Sequence, residues 1–151
     1  MFLLDSNVYI AGFNDPDFGE AFRAFHQKNL PQLILSAVVA HELLVGARDR
    51  RRIDALERGL LEPFRTRRRI HVPTLATWNL AADIDRRLRE LGSYESSLTQ
   101  RSFGNDLLIA ATARELGATL VTRNLGDFEL IRRVVPIHFQ PPWPAGNEPS
   151  R

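Results

Sequence analysis

Phe2-Leu3-Leu4-Asp5-Ser6-Asn7-Val8 opens the chain with three apolar residues, then an acid, a hydroxyl and an amide before apolar residues resume. So short a run, bounded at once by residues that favour helix starts, reads as a buried β-strand over residues 2–5. Ser6 and Asn7 then cap a helix running from Val8 toward Phe13. The signature returns at Leu33-Ile34-Leu35, with Ser36 as a second N-cap and residues 37–47 as a second helix. A strand that feeds straight into a helix, twice, points to a parallel sheet, because parallel neighbours need a crossover and a helix supplies it.

Downstream of the first helix, Asp15-Pro16-Asp17 marks a turn, and Phe18, Ala21, Phe22 and Phe25 recur at helical spacing until Pro31. Residues 49–69 read as a strongly charged helix that Pro63 interrupts, before a third strand at 70–72. Residues 75–91 form a long amphipathic helix stopped by Gly92, with Trp78 in its repeat as a core residue, and 93–101 a polar connector. A helix over 105–116 ends on Gly117, strand four covers 118–122, a short helix 125–133, and strand five 135–139, where Pro136 suits a sheet edge. The pattern predicts a three-layer α/β/α sandwich with a central parallel five-stranded sheet. At 151 residues there is room for one core. It is assigned to residues 1–139, with a proline-rich tail over 140–151 in which Trp143 is a tail anchor or a partner contact.

Composition narrows the chemistry. No apolar run approaches the roughly 20 residues needed to span a bilayer, and the opening meets a charge too early for a signal peptide, so a cytoplasmic protein with no membrane association is expected. The absence of cysteine excludes disulfides, thiolate nucleophiles and cysteine-ligated zinc. His26, His41, His71 and His138 show no metal-ligand spacing, so a metal would be held by oxygen. Net charge is +2, yet Lys28 is the only lysine. Guanidinium matches phosphate bidentately, so the clusters Arg48, Arg50, Arg51, Arg52 and Arg65, Arg67, Arg68, Arg69 are candidate nucleic-acid backbone contacts, although a solvated charged helix face is the better account of them.

Four carboxylates stand out. In a parallel sheet, ligands bind beyond the carboxyl ends of the strands at the point where strand order reverses. Asp5 lies at one strand end, where capping the next helix is the plain alternative. Glu42 falls between Val38 and Val39 on the helical wheel, inside an apolar stripe continuing through Leu43 and Val45, so it needs a cation or an arginine partner. Asp106 sits in the first turn of its helix, where the macrodipole also favours an anion. Asp127 follows strand four, where it would serve as an N-cap. Together they would repel and hold protons unless a cation lay among them, and oxygen ligands with open positions suit Mg²⁺ or Mn²⁺.

Leu4-Asp5-Ser6-Asn7-Val8, Glu42-Leu43 with Gly46, Asn105-Asp106-Leu107-Leu108-Ile109-Ala110-Ala111, and Thr122-Arg123-Asn124 with Asp127-Phe128 together resemble the PIN domain of VapC-type toxins. The likeness runs from residue 4 to about 128 in the family's order. Ser6 departs from the threonine more usual there but keeps the hydroxyl. The resemblance implies a Mg²⁺- or Mn²⁺-dependent endoribonuclease, a homodimer, and a cognate VapB-type antitoxin. It also implies that Asp5, Glu42, Asp106 and Asp127 are the metal-binding and catalytic acids, with Asn7, Thr122 and Asn124 as secondary polar groups. Attack of an activated water on phosphorus would leave a 5′-phosphate and a 3′-hydroxyl.

Two rivals stand beside this reading. A phosphoaspartyl enzyme would want a second Asp where Asn7 stands, or a late lysine that is missing. A non-catalytic RNA- or partner-binding module of the same fold is the alternative, against which the retention of four acids argues.

Overall fold

The computed structural model describes residues 1–92 and 101–143, the side chains of 101 and 102 excepted; residues 93–100 of the expected connector and the tail beyond 143 lie outside the described residues. β1 (Phe2–Leu4) leads into α1 (Ser6–Asn14) and α2 (Pro16–Asn29), and a 3₁₀ turn (Leu30–Gln32) precedes β2 (Leu33–Ser36). Then come α3 (Ala37–Gly46), α4 (Arg50–Leu56), a π-helical turn (Glu57–Leu61), α5 (Glu62–Thr66), β3 (Ile70–His71) and α6 (Leu75–Glu90). After the undescribed segment follow α7 (Arg101–Leu116), β4 (Thr119–Val121), α8 (Leu125–Arg132) and β5 (His138–Gln140).

The five strands form one sheet in the order β3-β2-β1-β4-β5, and every pairing is parallel. Phe2 and Leu3 face Leu33 and Ile34 on one side, and Thr119 and Leu120 on the other. Strands covered on both faces need continuous apolar runs rather than alternation, and Leu3, Leu4, Leu33, Leu35, Leu120 and Val121 are all fully buried. Helices complete the α/β/α layers, contributing Val38, Val39 and Leu43 from α3, Ile84 and Leu88 from α6, Ile109 and Ala110 from α7, and Phe128 and Ile131 from α8 to the same core.

Local chemistry sets the boundaries. Ser36 caps α3 by accepting from Val38 N–H, and Asp15 caps α2 by accepting from Asp17 and Phe18 N–H. α1 begins at Ser6, two residues earlier than expected, so Ser6 and Asn7 are its first turn rather than its caps. The charged segment breaks just before Pro63, whose ring cannot follow a regular α-helical turn; the chain widens to a π turn instead. β5 starts beyond Pro136 and sits at an edge as expected. Gly117 adopts φ +60 after α7, the left-handed turn that lets Ala118 N–H return to Ala113 O.

Two expectations of burial fail. Trp78 is 53% exposed, because the inward stripe of α6 is Thr77, Ala81, Ile84 and Leu88, one residue off Trp78. Thr77 is tolerated there because its hydroxyl accepts from Thr74 N–H and donates to Glu115, while its backbone N–H donates to Thr74 Oγ1 to complete a capping box. Val45 is also exposed, so the apolar stripe of α3 ends at Leu43. Of the eight clustered arginines, three are ion-paired with nearby acids, Arg50 with Asp54, Arg52 with Asp49, and Arg65 with Glu57 and Glu62, while Arg67 and Arg69 donate to the backbone carbonyls of Pro63 and Leu33.

Candidate active site

From β1 the chain builds outward through β2 and β3, then crosses back to add β4 and β5 on the other side. Strand order therefore reverses between β1 and β4, and the residues just past those strands are Asp5 and Thr122. Asp5 N–H donates to Val121 O at 2.9 Å, which carries the seam one residue beyond the strands.

Asp5 is 2% exposed. It occupies the N-cap position of α1, yet its side chain makes no capping bond. Its Oδ2 instead accepts from Thr122 Oγ1 at 2.6 Å and Asn7 Nδ2 at 2.7 Å, while Ser6 Oγ donates to Oδ1 at 3.4 Å. Thr122 is fully buried and uses its one proton on Asp5; its oxygen accepts from Asn124 N–H at 3.0 Å and Asn7 Nδ2 at 3.3 Å. Asn7 Oδ1 accepts from Arg123 N–H at 3.1 Å. Asn7 and Thr122 thus lock the ends of β1 and β4 together around one carboxylate.

The other acids approach from three helices. Asp106 belongs to the second turn of α7, since that helix begins at Arg101 and not near Asn105. A capping or dipole role is thereby removed. Asn124 Nδ2 bridges Asp127 Oδ2 at 2.7 Å and Asp106 Oδ2 at 3.3 Å. On α3, Glu42 Oε1 accepts from Asn105 Nδ2 at 2.8 Å, so its partner is an amide rather than an arginine, and Glu42 Oε2 is buried with no partner.

The electrostatics record the crowding. Burial is the main force pushing Asp106 up to about 8, with the charges of Asp5, Asp127 and Glu42 adding to it. Asp5 is also raised by burial and by Glu42, against the lowering effect of its bonds to Thr122 and Ser6. All four predicted acids therefore share one electrostatic neighbourhood, and Asn7, Thr122 and Asn124 tie it together. Among the described residues, no three acidic or histidine side chains are arranged to hold a metal ion as they stand. Amide donors from Asn105 and Asn124 lie against the carboxylates instead. Asn105 is the contact that sequence reasoning left without a role; its signal was Glu42, an acid in an apolar stripe that required a donor.

A family model described as PIN domain matches residues 2–133. Among solved structures, the chain is similar to FitAcB from Neisseria gonorrhoeae, with 26% identity over 95% of this chain and 99% of that one, and a TM-score of 0.72. FitAB bound to an IR36 DNA fragment gives 24% identity, coverage of 95% and 96%, and a TM-score of 0.72. DNA-bound VapBC from Salmonella typhimurium gives 23% identity, coverage of 93% and 96%, and a TM-score of 0.68. At such identities the likeness is chiefly one of fold. No curated relative matches the chain.

Proposed function

Since this chain belongs to the PIN-domain family, we propose that it is a metal-dependent endoribonuclease that hydrolyses RNA phosphodiester bonds as the toxin of a toxin–antitoxin pair. The observation that carries the reading is the convergence of Asp5, Glu42, Asp106 and Asp127 at the reversal of strand order, in a cluster that burial and mutual repulsion make costly. Such a cost is kept where charge serves chemistry.

The donor set fits a hard cation. It is entirely oxygen, and Glu42 Oε2 is a buried carboxylate oxygen with nothing to satisfy it. Asp5, Glu42, Asp106 and Asp127 would hold Mg²⁺ or Mn²⁺. Such an ion supplies positive charge against the charge growing on a scissile phosphate and makes a nearby water more acidic. The chain's own work is positioning. Thr122 and Asn7 fix the Asp5 carboxylate in one orientation, and Asn124 holds Asp106 and Asp127 side by side. Asn105 fixes one oxygen of Glu42 and leaves the other open.

The partners belong to the same reading: an RNA substrate, a VapB-type antitoxin and a second copy of the chain, in the cytoplasm. The fold likeness to FitAB and VapBC chains supports the antitoxin. So does an open apolar groove of about 590 Å³ lined by Ile10, Phe13, Leu43, Leu56 and Leu60, surface that a partner would cover. No described helix is long and apolar enough to cross a membrane.

The test incubates purified protein with single-stranded RNA in Mg²⁺, Mn²⁺ or EDTA, beside Asp5→Asn and Asp106→Asn. Cleavage in metal alone, lost in both variants and leaving 5′-phosphate ends, is the expected result. Cutting that survives EDTA or both substitutions, or that leaves 2′,3′-cyclic phosphate, refutes the reading.

A further inference from the structure

Arg123 lies between Thr122, which bonds Asp5, and Asn124, which bonds Asp106 and Asp127. Its backbone N–H is spent on Asn7, but its side chain is exposed and forms no ion pair or side-chain hydrogen bond with any described residue. The guanidinium instead lies over the Phe18 ring, 5.8 Å from its centroid. Behind Phe18, Trp143 stacks at 6.5 Å with planes 25° apart, and behind Trp143, Phe25 stacks at 3.5 Å and 15°. The Trp143 indole N–H donates to Ala21 O, which fastens the stack to α2.

A cation–π contact spends none of the guanidinium's N–H donors on an acceptor, so they stay free for a phosphate, which they match with two parallel bonds. A rigid platform lowers the entropy lost when such bonds form. Four carboxylates next door repel an incoming nucleic-acid backbone, and a fixed cation at their rim offsets that repulsion. We propose that Arg123, held on the Phe18–Trp143–Phe25 stack, binds an RNA phosphate neighbouring the one that is cut. The proposal rests on the RNA-cleaving reading of the same site and makes Arg123 a positioning residue.

The experiment separates binding from cutting. Fluorescence anisotropy with a labelled single-stranded RNA in Mg²⁺ compares Asp106→Asn with the double variant Asp106→Asn/Arg123→Gln. The second change should weaken binding on the order of tenfold and make the slope of log K against log salt shallower by about 0.7, one phosphate contact on a single strand. Arg123→Lys should keep the slope and recover only part of the affinity. Phe18→Leu should weaken binding with the slope intact. In otherwise wild-type enzyme, Arg123→Gln should raise KM and leave kcat within about twofold. An unchanged Kd and slope overturns the proposal, whether or not thermal stability moves, as does a parent that binds no RNA. Arg123-dependent binding by a wild-type protein that never cuts refutes the nuclease reading, and with it the neighbouring cleaved phosphate, while upholding the Arg123–phosphate contact itself.

Discussion

Replacing Asp106 by asparagine should make the metal-free protein more stable even though it removes a residue of the site. Asp106 is 7% exposed, and burial together with the charges of Asp5, Asp127 and Glu42 pushes it from 3.8 up to about 8. The unfolded chain releases this proton near pH 3.8 and the folded chain keeps it to about 8. Between those values the folded state binds more protons, so its stability falls as pH rises. Each pH unit in that window is worth about 1.4 kcal/mol, which gives on the order of 4 kcal/mol at pH 7 for a rigid cleft. Relaxation and entry of water reduce the gain. Asparagine has nearly the shape of protonated aspartic acid and keeps an acceptor for Asn124. Urea denaturation in EDTA, run from about pH 5 to about pH 8.5, reads the effect. Wild type should lose stability along the series, Asp106→Asn should lose much less, and Mg²⁺ should then stabilise wild type but scarcely the variant. A variant no more stable than wild type at the alkaline end, with parallel pH curves, would show that the carboxylates are not forced together.

Asn124→Ala removes the amide that bridges Asp106 and Asp127, and should cost about 1–2 kcal/mol in EDTA but less in Mg²⁺; a metal-independent loss in chemical denaturation would contradict the bridging role. His26 is lowered by burial and its Nε2 has no partner. The unfolded chain therefore takes up that proton first as pH falls through 6.5, and stability is lost on acidification. His26→Phe, within the cage of Tyr9, Phe22 and Phe64, should lose less stability than wild type between about pH 7.5 and pH 5.5, and equal losses would be evidence against a buried neutral imidazole. A Cβ on Gly12 would overlap the Phe22 ring where α1 meets α2, so Gly12→Ala should lower stability by about 1–3 kcal/mol. Gly46→Ala, with nothing within 4 Å, should melt at or above wild type, and the reverse order would refute this packing.

The strand–helix alternation and the acid at the end of β1 were legible because they are local: five residues suffice to show a short apolar run followed by polar helix starters. Glu42 was legible because an acid at Val38–Leu43 spacing breaks a periodic stripe. Its partner was not, since Asn105 reaches it across 63 positions of sequence. Trp78 misled for a related reason. Its helix repeats apolar residues on more than one phase, and only the neighbouring helix decides which phase is covered. α7 starts four residues ahead of the expected position, at Arg101, and Phe103 packs into the core ahead of Gly104 and Asn105. That shift changed the meaning of Asp106 from a helix-end anion to an interior charge.

The central place of β1 has a consequence for how the protein comes into being. The first strand made lies between β2, available early, and β4, which ends at Val121. On a ribosome, one side of that strand waits unzipped until nearly the whole domain has left the exit tunnel, and such distant pairings close late. Asp127, the last of the four clustered acids, emerges later still. A chain cut short by a premature stop or by a protease should therefore be inert rather than weakly active. The proposed activity should arrive only with the finished domain.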